Sequence, residues 1–148
     1  MVIVNDRPDI ALMSGAAGAH VGQDDLPPSA VRRLLGSGAV VGFSTHTNEQ
    51  IDRAATEPVT YVAIGPVFGT RTKETGYDAV GLAQVSDAAR RSMGLPVVAI
   101  GGITLERVAS VWAAGASSVA VITDLLKGGN PAGRVRAYLQ VAASMTRL

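Results

Sequence analysis

Two aspartates near the start of the chain have the residue type and spacing of a magnesium site. Asp6 follows a short apolar segment at residues 2–4, and Asp25 follows a second one at residues 19–22. If these segments are successive strands of a parallel barrel, both carboxylates lie at its mouth. Carboxylate oxygens, completed by water and phosphate, suit Mg²⁺ better than a metal that prefers nitrogen or sulfur. The alternative is that both residues only cap turns or helices, and Asp24 is the weaker ligand candidate.

Two other segments can bind phosphate. Thr70-Arg71-Thr72-Lys73 combines two hydroxyls with two cations, which can hold a diphosphate as it departs. Gly101-Gly102-Ile103-Thr104 places two glycines before a predicted helix, where backbone N–H groups can approach an anion. Val121-Ile122-Thr123, at the end of the last apolar segment, can complete this second cradle. The alternatives are a solvated turn for the first segment and a tight strand-to-helix turn for the second.

Three further polar side chains lie in or just after apolar segments. Ser44 is expected directly at the end of the segment at residues 39–43, where its hydroxyl can donate to phosphate. His46 lies close by and is the weaker candidate for substrate contact. His20 lies inside the segment at residues 19–22, so we expect a hydrogen-bonded strand histidine rather than a catalytic base.

These residues need a scaffold that brings many strand ends together. Six short apolar segments rich in β-branched residues recur along the chain, and their continuous apolar character is typical of parallel strands buried on both faces. Helix signals separate them: a capping box at Thr47 with Gln50, a stop at Gly36, and starts at Thr104 and at Asn130-Pro131. The predicted strands are residues 2–4, 19–22, 39–43, 61–65, 97–100 and 118–122.

The expected fold is α/β, an incomplete TIM-type (β/α)8 barrel of about six parallel βα units, as one domain over residues 1–148. A complete barrel has eight strands and usually more than about 200 residues. A doubly wound open sheet is the alternative, but no Gly-x-Gly-x-x-Gly pattern follows the first strand. The polar residues at successive strand ends favour the barrel.

Composition excludes several classes of protein. The net charge is +1 and the chain has no cysteine, which argues against a nucleic-acid partner, disulfides and thiolate metal sites. No apolar run reaches the length of a membrane span, and no signal peptide is recognisable, so we expect a cytoplasmic protein without a membrane partner. The expected partners are small anionic molecules.

Taken together, six strings resemble the thiamine phosphate synthase (thiamine-phosphate pyrophosphorylase) family over residues 2–126. Each string alone is modest, since the Gly-Gly-Ile turn occurs in many phosphate-binding barrels, but their order and combination are specific. The strings are Val4-Asn5-Asp6-Arg7, His20-Val21-Gly22-Gln23-Asp24-Asp25, Ser44-Thr45-His46-Thr47, Gly65-Pro66-Val67-Phe68 with Thr70-Arg71-Thr72-Lys73, Val98-Ala99-Ile100-Gly101-Gly102-Ile103, and Val119-Ala120-Val121-Ile122.

The resemblance implies a Mg²⁺-dependent transferase of thiamine biosynthesis. Such an enzyme joins an aminopyrimidine methyl diphosphate to a thiazole phosphate and releases diphosphate in a dissociative step. By resemblance, Asp6 and Asp25 would hold Mg²⁺, and Asn5 would contact the diphosphate or the pyrimidine. Ser44 and Lys73 would bind the leaving diphosphate. The thiazole phosphate would be positioned by Thr70, Thr72, Gly102, Ile122 and Thr123.

The sequence departs from the family at its beginning. The family has two earlier βα units, and the Gln-x-Arg-x-Lys pattern of the second has no counterpart here. Met1 is then a late or misassigned start, another chain supplies these units, or the protein is a degenerate remnant. We expect the first and last strands to present open edges, through which the chain associates with a copy of itself or with a complementing chain. A thiazole tautomerase-like isomerase and a non-catalytic phosphate-binding fragment remain as alternative functions.

Overall fold

The computed structural model describes residues 1–69 and 76–145, in which strands and helices alternate from β1 to β6. The strands are β1 (Ile3–Asn5), β2 (Gly18–Val21), β3 (Val40–Thr45), β4 (Tyr61–Ile64), β5 (Val97–Ile100) and β6 (Ser118–Ala120). The helices are α1 (Pro8–Ser14), α2 (Pro28–Leu35), α3 (Asn48–Ala54), α4 (Gly81–Arg91), α5 (Val108–Ala113) and α6 (Pro131–Met145), with a 3₁₀ segment at Thr123–Gly129 before α6. All six predicted strands are confirmed.

The strands form one parallel sheet in which every strand pairs with the next one along the chain. The order is β1-β2-β3-β4-β5-β6, and all five pairings are parallel. A doubly wound sheet reverses its strand order at a switch point, and this sheet contains no reversal. The fold is therefore an α/β half-barrel, and the doubly wound alternative is wrong.

The two faces of the sheet differ in burial. Most side chains that face the helices are buried, and those of Val21, Val41, Val62 and Ile64 have no exposed surface. The strand registers place His20, Gly42 and Tyr61 side by side on the opposite face, where His20 and Tyr61 are only partly buried. Burial on both faces was predicted, but on the face without helices His20, Ser44 and Tyr61 are only partly buried. This face is partly accessible to solvent and carries both polar and apolar side chains. We call it the accessible face.

The predicted helix signals are largely confirmed. The Thr47 hydroxyl accepts a hydrogen bond from the amide of Gln50 at 3.3 Å, and the Gln50 side chain accepts one from the amide of His46 at 2.7 Å. Asn130 caps α6 through the amide of Gly133 at 2.9 Å. Gly36 follows the last residue of α2, with a φ of 85°.

The start of α5 was predicted wrongly. The helix begins at Val108, and residues 105–107 form a turn in which the amides of Arg107 and Val108 both donate to the Thr104 carbonyl at 3.0 Å. The amide of Leu105 donates instead to the carboxylate of Asp124 at 3.1 Å. This turn, rather than the first turn of a long helix, therefore follows the two glycines.

The carboxylate of Asp124 anchors the C-terminal helix to the sheet. Asp124 is 7% exposed, and it accepts hydrogen bonds from the Tyr138 hydroxyl at 2.7 Å and from two nitrogens of Arg134 at 2.9 Å. Burial, the largest influence, raises the pKa of Asp124, but the hydrogen bonds from Tyr138, Arg134 and the Leu105 amide outweigh it. The pKa therefore lies below its ordinary value, and the anchor stays ionised near neutral pH.

Both outer strands of the sheet have apolar side chains exposed beside them. Val2 precedes β1 and is 67% exposed, whereas Ile122 and Leu126 follow β6 and are 59% and 67% exposed. Within the described residues, β1 pairs only with β2, and β6 only with β5. None of the helices in the described ranges has the length and apolar character that crossing a bilayer requires.

Candidate functional site

The loops after β1 and β2 place the two predicted metal ligands on neighbouring elements. Asn5 ends β1 in register with His20, and Asp6 follows with a φ of 60°. The amide of Asp6 donates to the His20 carbonyl at 2.8 Å, which fixes the turn out of the strand. The Asp6 side chain is half-buried and takes part in further interactions.

Asp25 closes the turn that follows β2. Its Oδ2 atom accepts a hydrogen bond from the amide of Gly22 at 2.7 Å, so the turn-capping alternative is part of its role. Oδ1 takes no part in that bond, so Asp25 stays a candidate metal ligand. A side chain added at Gly22 would lie 3.2 Å from the Asp25 carboxylate, which shows how closely the turn packs.

These two carboxylates fit Mg²⁺ rather than a metal that needs several protein ligands. Within residues 1–69 and 76–145, no group of three or more His, Asp or Glu side chains could hold a metal ion. Mg²⁺ commonly binds through one or two carboxylates and takes its remaining ligands from water and substrate phosphates. Oxygen ligands from Asp6 and Asp25 match this coordination preference, but the ligand assignment itself stays a prediction.

Ser44 lies inside β3, not after its end as predicted, because β3 continues to Thr45 in pairing with β4. Its hydroxyl lies 2.8 Å from Nε2 of His20, and Nδ1 of His20 lies 2.9 Å from the hydroxyl of Tyr61. The expectation that His20 is a hydrogen-bonded strand histidine is therefore confirmed. Partial burial raises the pKa of Tyr61, so its phenol stays protonated.

The glycine turn after β5 packs against the start of the loop after β4. Gly101 and Gly102 have φ values of 97° and 62°, which favour glycine. A side chain at Gly102 would come within 2.7 Å of the carbonyl oxygen of Gly69, and the Phe68 amide donates to the Gly101 carbonyl at 3.0 Å. The glycine turn therefore packs against Phe68 and Gly69, the last described residues before the predicted diphosphate segment.

Two of the residues that were predicted to bind phosphate follow β6. Ile122 is the second residue after the end of β6, and Thr123 begins the 3₁₀ segment. Because β6 pairs with β5, both residues lie on the side of the sheet next to the glycine turn. Their role in binding the thiazole phosphate stays a prediction. The predicted roles of Thr70, Thr72 and Lys73 fall outside the described residues.

His46 is held at the edge of the site. Its Nδ1 atom lies 2.5 Å from the carbonyl oxygen of Gly65, and its ring stacks on Tyr77 with 3.7 Å between centroids. Since a carbonyl only accepts, Nδ1 carries the proton of this hydrogen bond. Burial lowers the pKa of His46 below 6.5, and the bond to Gly65 offsets this in part. His46 is therefore a neutral, oriented ring near neutral pH.

Sequence reasoning missed residues that act across strands. Tyr61 contacts His20 only because the residue of β3 that lies between them is Gly42. The spacing of these residues along the chain does not predict the contact. The Gln23 amide donates to the Ser44 carbonyl at 2.5 Å, and Gln23 in turn accepts a hydrogen bond from Arg53. The polar character of Gln23 at a strand end was the one available signal.

Comparison with known proteins agrees with this geometry. The family model described as thiamine monophosphate synthase matches residues 1–125. A thiamine-phosphate synthase of Roseiflexus castenholzii is 45% identical over 142 residues, which are 96% of this chain and 62% of the relative. One from Koribacter versatilis is 46% identical over 143 residues, covering 97% of this chain and 66% of the relative.

A solved structure shares the fold. Thiamine phosphate pyrophosphorylase from Pyrococcus furiosus superposes with a TM-score of 0.86 at 25% identity, covering 96% of this chain and 67% of that chain. The chain spans less than two thirds of the length of the curated relatives compared above. By the family model and by identity over nearly its whole length, the chain belongs to the thiamine monophosphate synthase family.

Proposed function

We propose that this chain carries out, or contributes to, the transfer that forms thiamine phosphate. The reaction joins a hydroxymethylpyrimidine diphosphate to a thiazole phosphate, with diphosphate as the leaving group. The observation that carries the proposal is that Asp6, Asp25, Ser44 and Gly102 lie at or after the C-terminal ends of parallel strands of one sheet, in a member of the thiamine monophosphate synthase family. That end is where barrel enzymes hold their reacting groups.

The leaving diphosphate is assigned to the side of the site formed by β1, β2 and β3. Asp6 and Asp25 would hold Mg²⁺, which when bound neutralises charge on the departing diphosphate. Asn5 ends β1 beside them, and Ser44 supplies a hydroxyl from β3. Lys73 would add a positive charge. The support is chemical: two hard oxygen ligands, a hydroxyl and a cation match a magnesium diphosphate.

The thiazole phosphate is assigned to the other side, formed by the loops after β4, β5 and β6. Gly102 packs against Gly69, which leads into Thr70 and Thr72. Ile122 and Thr123 introduce a short 3₁₀ segment after β6. Barrels frequently bind phosphate at the loops of their last two strands beside a short extra helix. The two substrates would then meet over the centre of the accessible face.

We also infer that the six βα units are part of a TIM-type (β/α)8 barrel. The strictly sequential parallel order and the chain's coverage of 67% of a solved family structure support this. The open edges of β1 and β6 would then meet further strands, supplied by a second copy or by a complementing chain. The cytoplasmic location expected from the sequence stays a prediction.

Diphosphate release from the pyrimidine substrate tests the proposed function. The chain is incubated with hydroxymethylpyrimidine diphosphate and thiazole phosphate, with Mg²⁺ or with a chelator, and free diphosphate is measured. Mg²⁺-dependent release supports the transferase. Isomerisation of a thiazole substrate without release supports a tautomerase, and thiazole phosphate binding without either reaction supports a non-catalytic phosphate-binding role.

A further inference from the structure

Three polar side chains form a continuous hydrogen-bonded line across the accessible face of the sheet. The Tyr61 hydroxyl lies 2.9 Å from Nδ1 of His20, and Nε2 of His20 lies 2.8 Å from the Ser44 hydroxyl. The three residues come from β4, β2 and β3, so the line crosses three strands. We call these residues the Tyr61–His20–Ser44 relay.

The sheet is built to allow this line. Gly42 lies in register between His20 and Tyr61, and a side chain at this position would overlap both rings. The phenol and imidazole rings are nearly parallel, with 23° between their planes and 5.5 Å between centroids. The space that a side chain at position 42 would fill is therefore occupied by the rings of His20 and Tyr61.

The direction of these hydrogen bonds decides what Ser44 can do. A neutral imidazole has one N–H donor and one nitrogen acceptor, and serine has a single proton. If Nε2 accepts from Ser44, that proton is used within the relay. If Nε2 carries the proton and donates to Ser44, the serine proton can be given to a ligand.

We propose that Tyr61 holds His20 in the Nε2–H form, so that the Ser44 proton is left to donate to an anionic oxygen of the substrate. The phenol is a stronger proton donor than the serine hydroxyl, since its ordinary pKa is about 10. Tyr61 therefore donates to Nδ1, and Nε2–H donates to Ser44. Tyr61 and His20 are positioning residues, and Ser44 is the residue that touches the ligand.

The surroundings of the relay support this direction. Burial raises the pKa of Tyr61, so the phenol is protonated near neutral pH and can donate a hydrogen bond. The side-chain amide of Gln23 donates a hydrogen bond to the Ser44 carbonyl at 2.5 Å. This bond fixes the backbone of Ser44, about which its hydroxyl group rotates. The inference rests on the proposed function in one respect: the anionic oxygen is taken to belong to the diphosphate.

Nitrogen NMR of the imidazole rings tests the proton position. The chain has two histidines, and a His20→Gln variant assigns their signals. We expect Nε2–H for His20 and the opposite Nδ1–H form for His46, whose Nδ1 faces the Gly65 carbonyl. In Tyr61→Phe, His20 should shift towards Nδ1–H. A matched control, Tyr138→Phe, removes a phenol hydroxyl far from the relay and should leave His20 unchanged.

Binding of inorganic diphosphate with Mg²⁺ tests the consequence for Ser44. Ser44→Ala should weaken affinity roughly 10- to 100-fold, as expected for one hydrogen bond to a charged group. Tyr61→Phe should weaken it about two- to tenfold, in line with a smaller fraction of the competent tautomer. In the Ser44→Ala background, Tyr61→Phe should have no further effect.

The outcomes separate the relay from the proposed function. Nδ1–H or doubly protonated His20 in the wild-type chain overturns the relay, and so does an equal effect of Tyr61→Phe with and without Ser44. A wild-type chain with His20 in the Nε2–H form that binds no diphosphate supports the relay and contradicts the proposed function.

Discussion

Gly42 is the residue on which the accessible face of the sheet depends most directly. A methyl group there would overlap the rings of His20 and Tyr61, although the backbone itself permits alanine. We expect Gly42→Ala to lower the free energy of unfolding by about 1–3 kcal/mol, as overpacking does. Gly38→Ala is the matched control, since nothing lies within 4 Å of its added carbon. Urea denaturation measures both, and equal stability of the two variants would contradict the packing described.

His46 gives the stability of the chain a pH dependence. Its pKa is lowered by burial, so the folded chain binds this proton more weakly than the unfolded chain does. The neutral His46 ring stabilises the fold above pH 6.5, the pKa of this histidine in the unfolded chain. This contribution is lost as the pH falls through the lower pKa of His46 in the folded chain. We expect His46→Gln to flatten the fall in unfolding free energy below pH 6.5. Urea denaturation at several pH values measures this, and identical slopes for both chains would refute it.

At the scale of elements, the anchor at Asp124 joins α6 to the turn after β5. Asp124→Ala would leave the mostly buried Tyr138 hydroxyl without its acceptor and would remove two of the three hydrogen bonds from Arg134 to carboxylates, with the bond to Glu106 at 3.1 Å retained. We expect a loss of about 2–4 kcal/mol in unfolding free energy.

The control for this anchor is Asp87→Ala, which removes the exposed pair with Arg90 and should cost less than about 1 kcal/mol. Hydrogen exchange of the α6 amides reports the same difference locally. Unchanged protection of α6 in Asp124→Ala would show that other contacts hold the helix.

Sequence reasoning worked where local chemistry decides the structure. The six strands, the Thr47 and Asn130 caps and the stop at Gly36 follow from residue types a few positions apart. It failed for α5, because the competing partner of Leu105 is Asp124, far away in sequence.

The candidate site was predictable only in part, for the same reason. The residues after successive strands were identifiable because parallel strands end at one edge. The contact of Tyr61 with His20 depends on strand register and on the glycine between them, which a single sequence does not encode locally. The end of β3 was predicted two residues too early, because the apolar segment ends at Phe43 and the strand continues to Thr45, so Ser44 was placed after the strand rather than inside it.

At the scale of the whole molecule, the open edges of β1 and β6 should govern behaviour in solution. Apolar side chains at Val2, Ile122 and Leu126 are exposed beside these edges. Unpaired backbone groups and apolar surface favour association with another chain. We expect the isolated chain to self-associate or to melt with low cooperativity. Light scattering and thermal unfolding measure this, and a monodisperse, cooperatively melting monomer would count against it.

The most direct test of the proposed transferase is the Mg²⁺ dependence of thiamine phosphate formation. The rate is measured from both substrates across a Mg²⁺ series for the wild-type chain, Asp25→Asn and Asp24→Asn. We expect product formation that requires Mg²⁺, a much higher Mg²⁺ requirement in Asp25→Asn, and a wild-type response in the control variant Asp24→Asn. Product formation that ignores Mg²⁺, equal responses of the two variants, or no product at any Mg²⁺ concentration would contradict it.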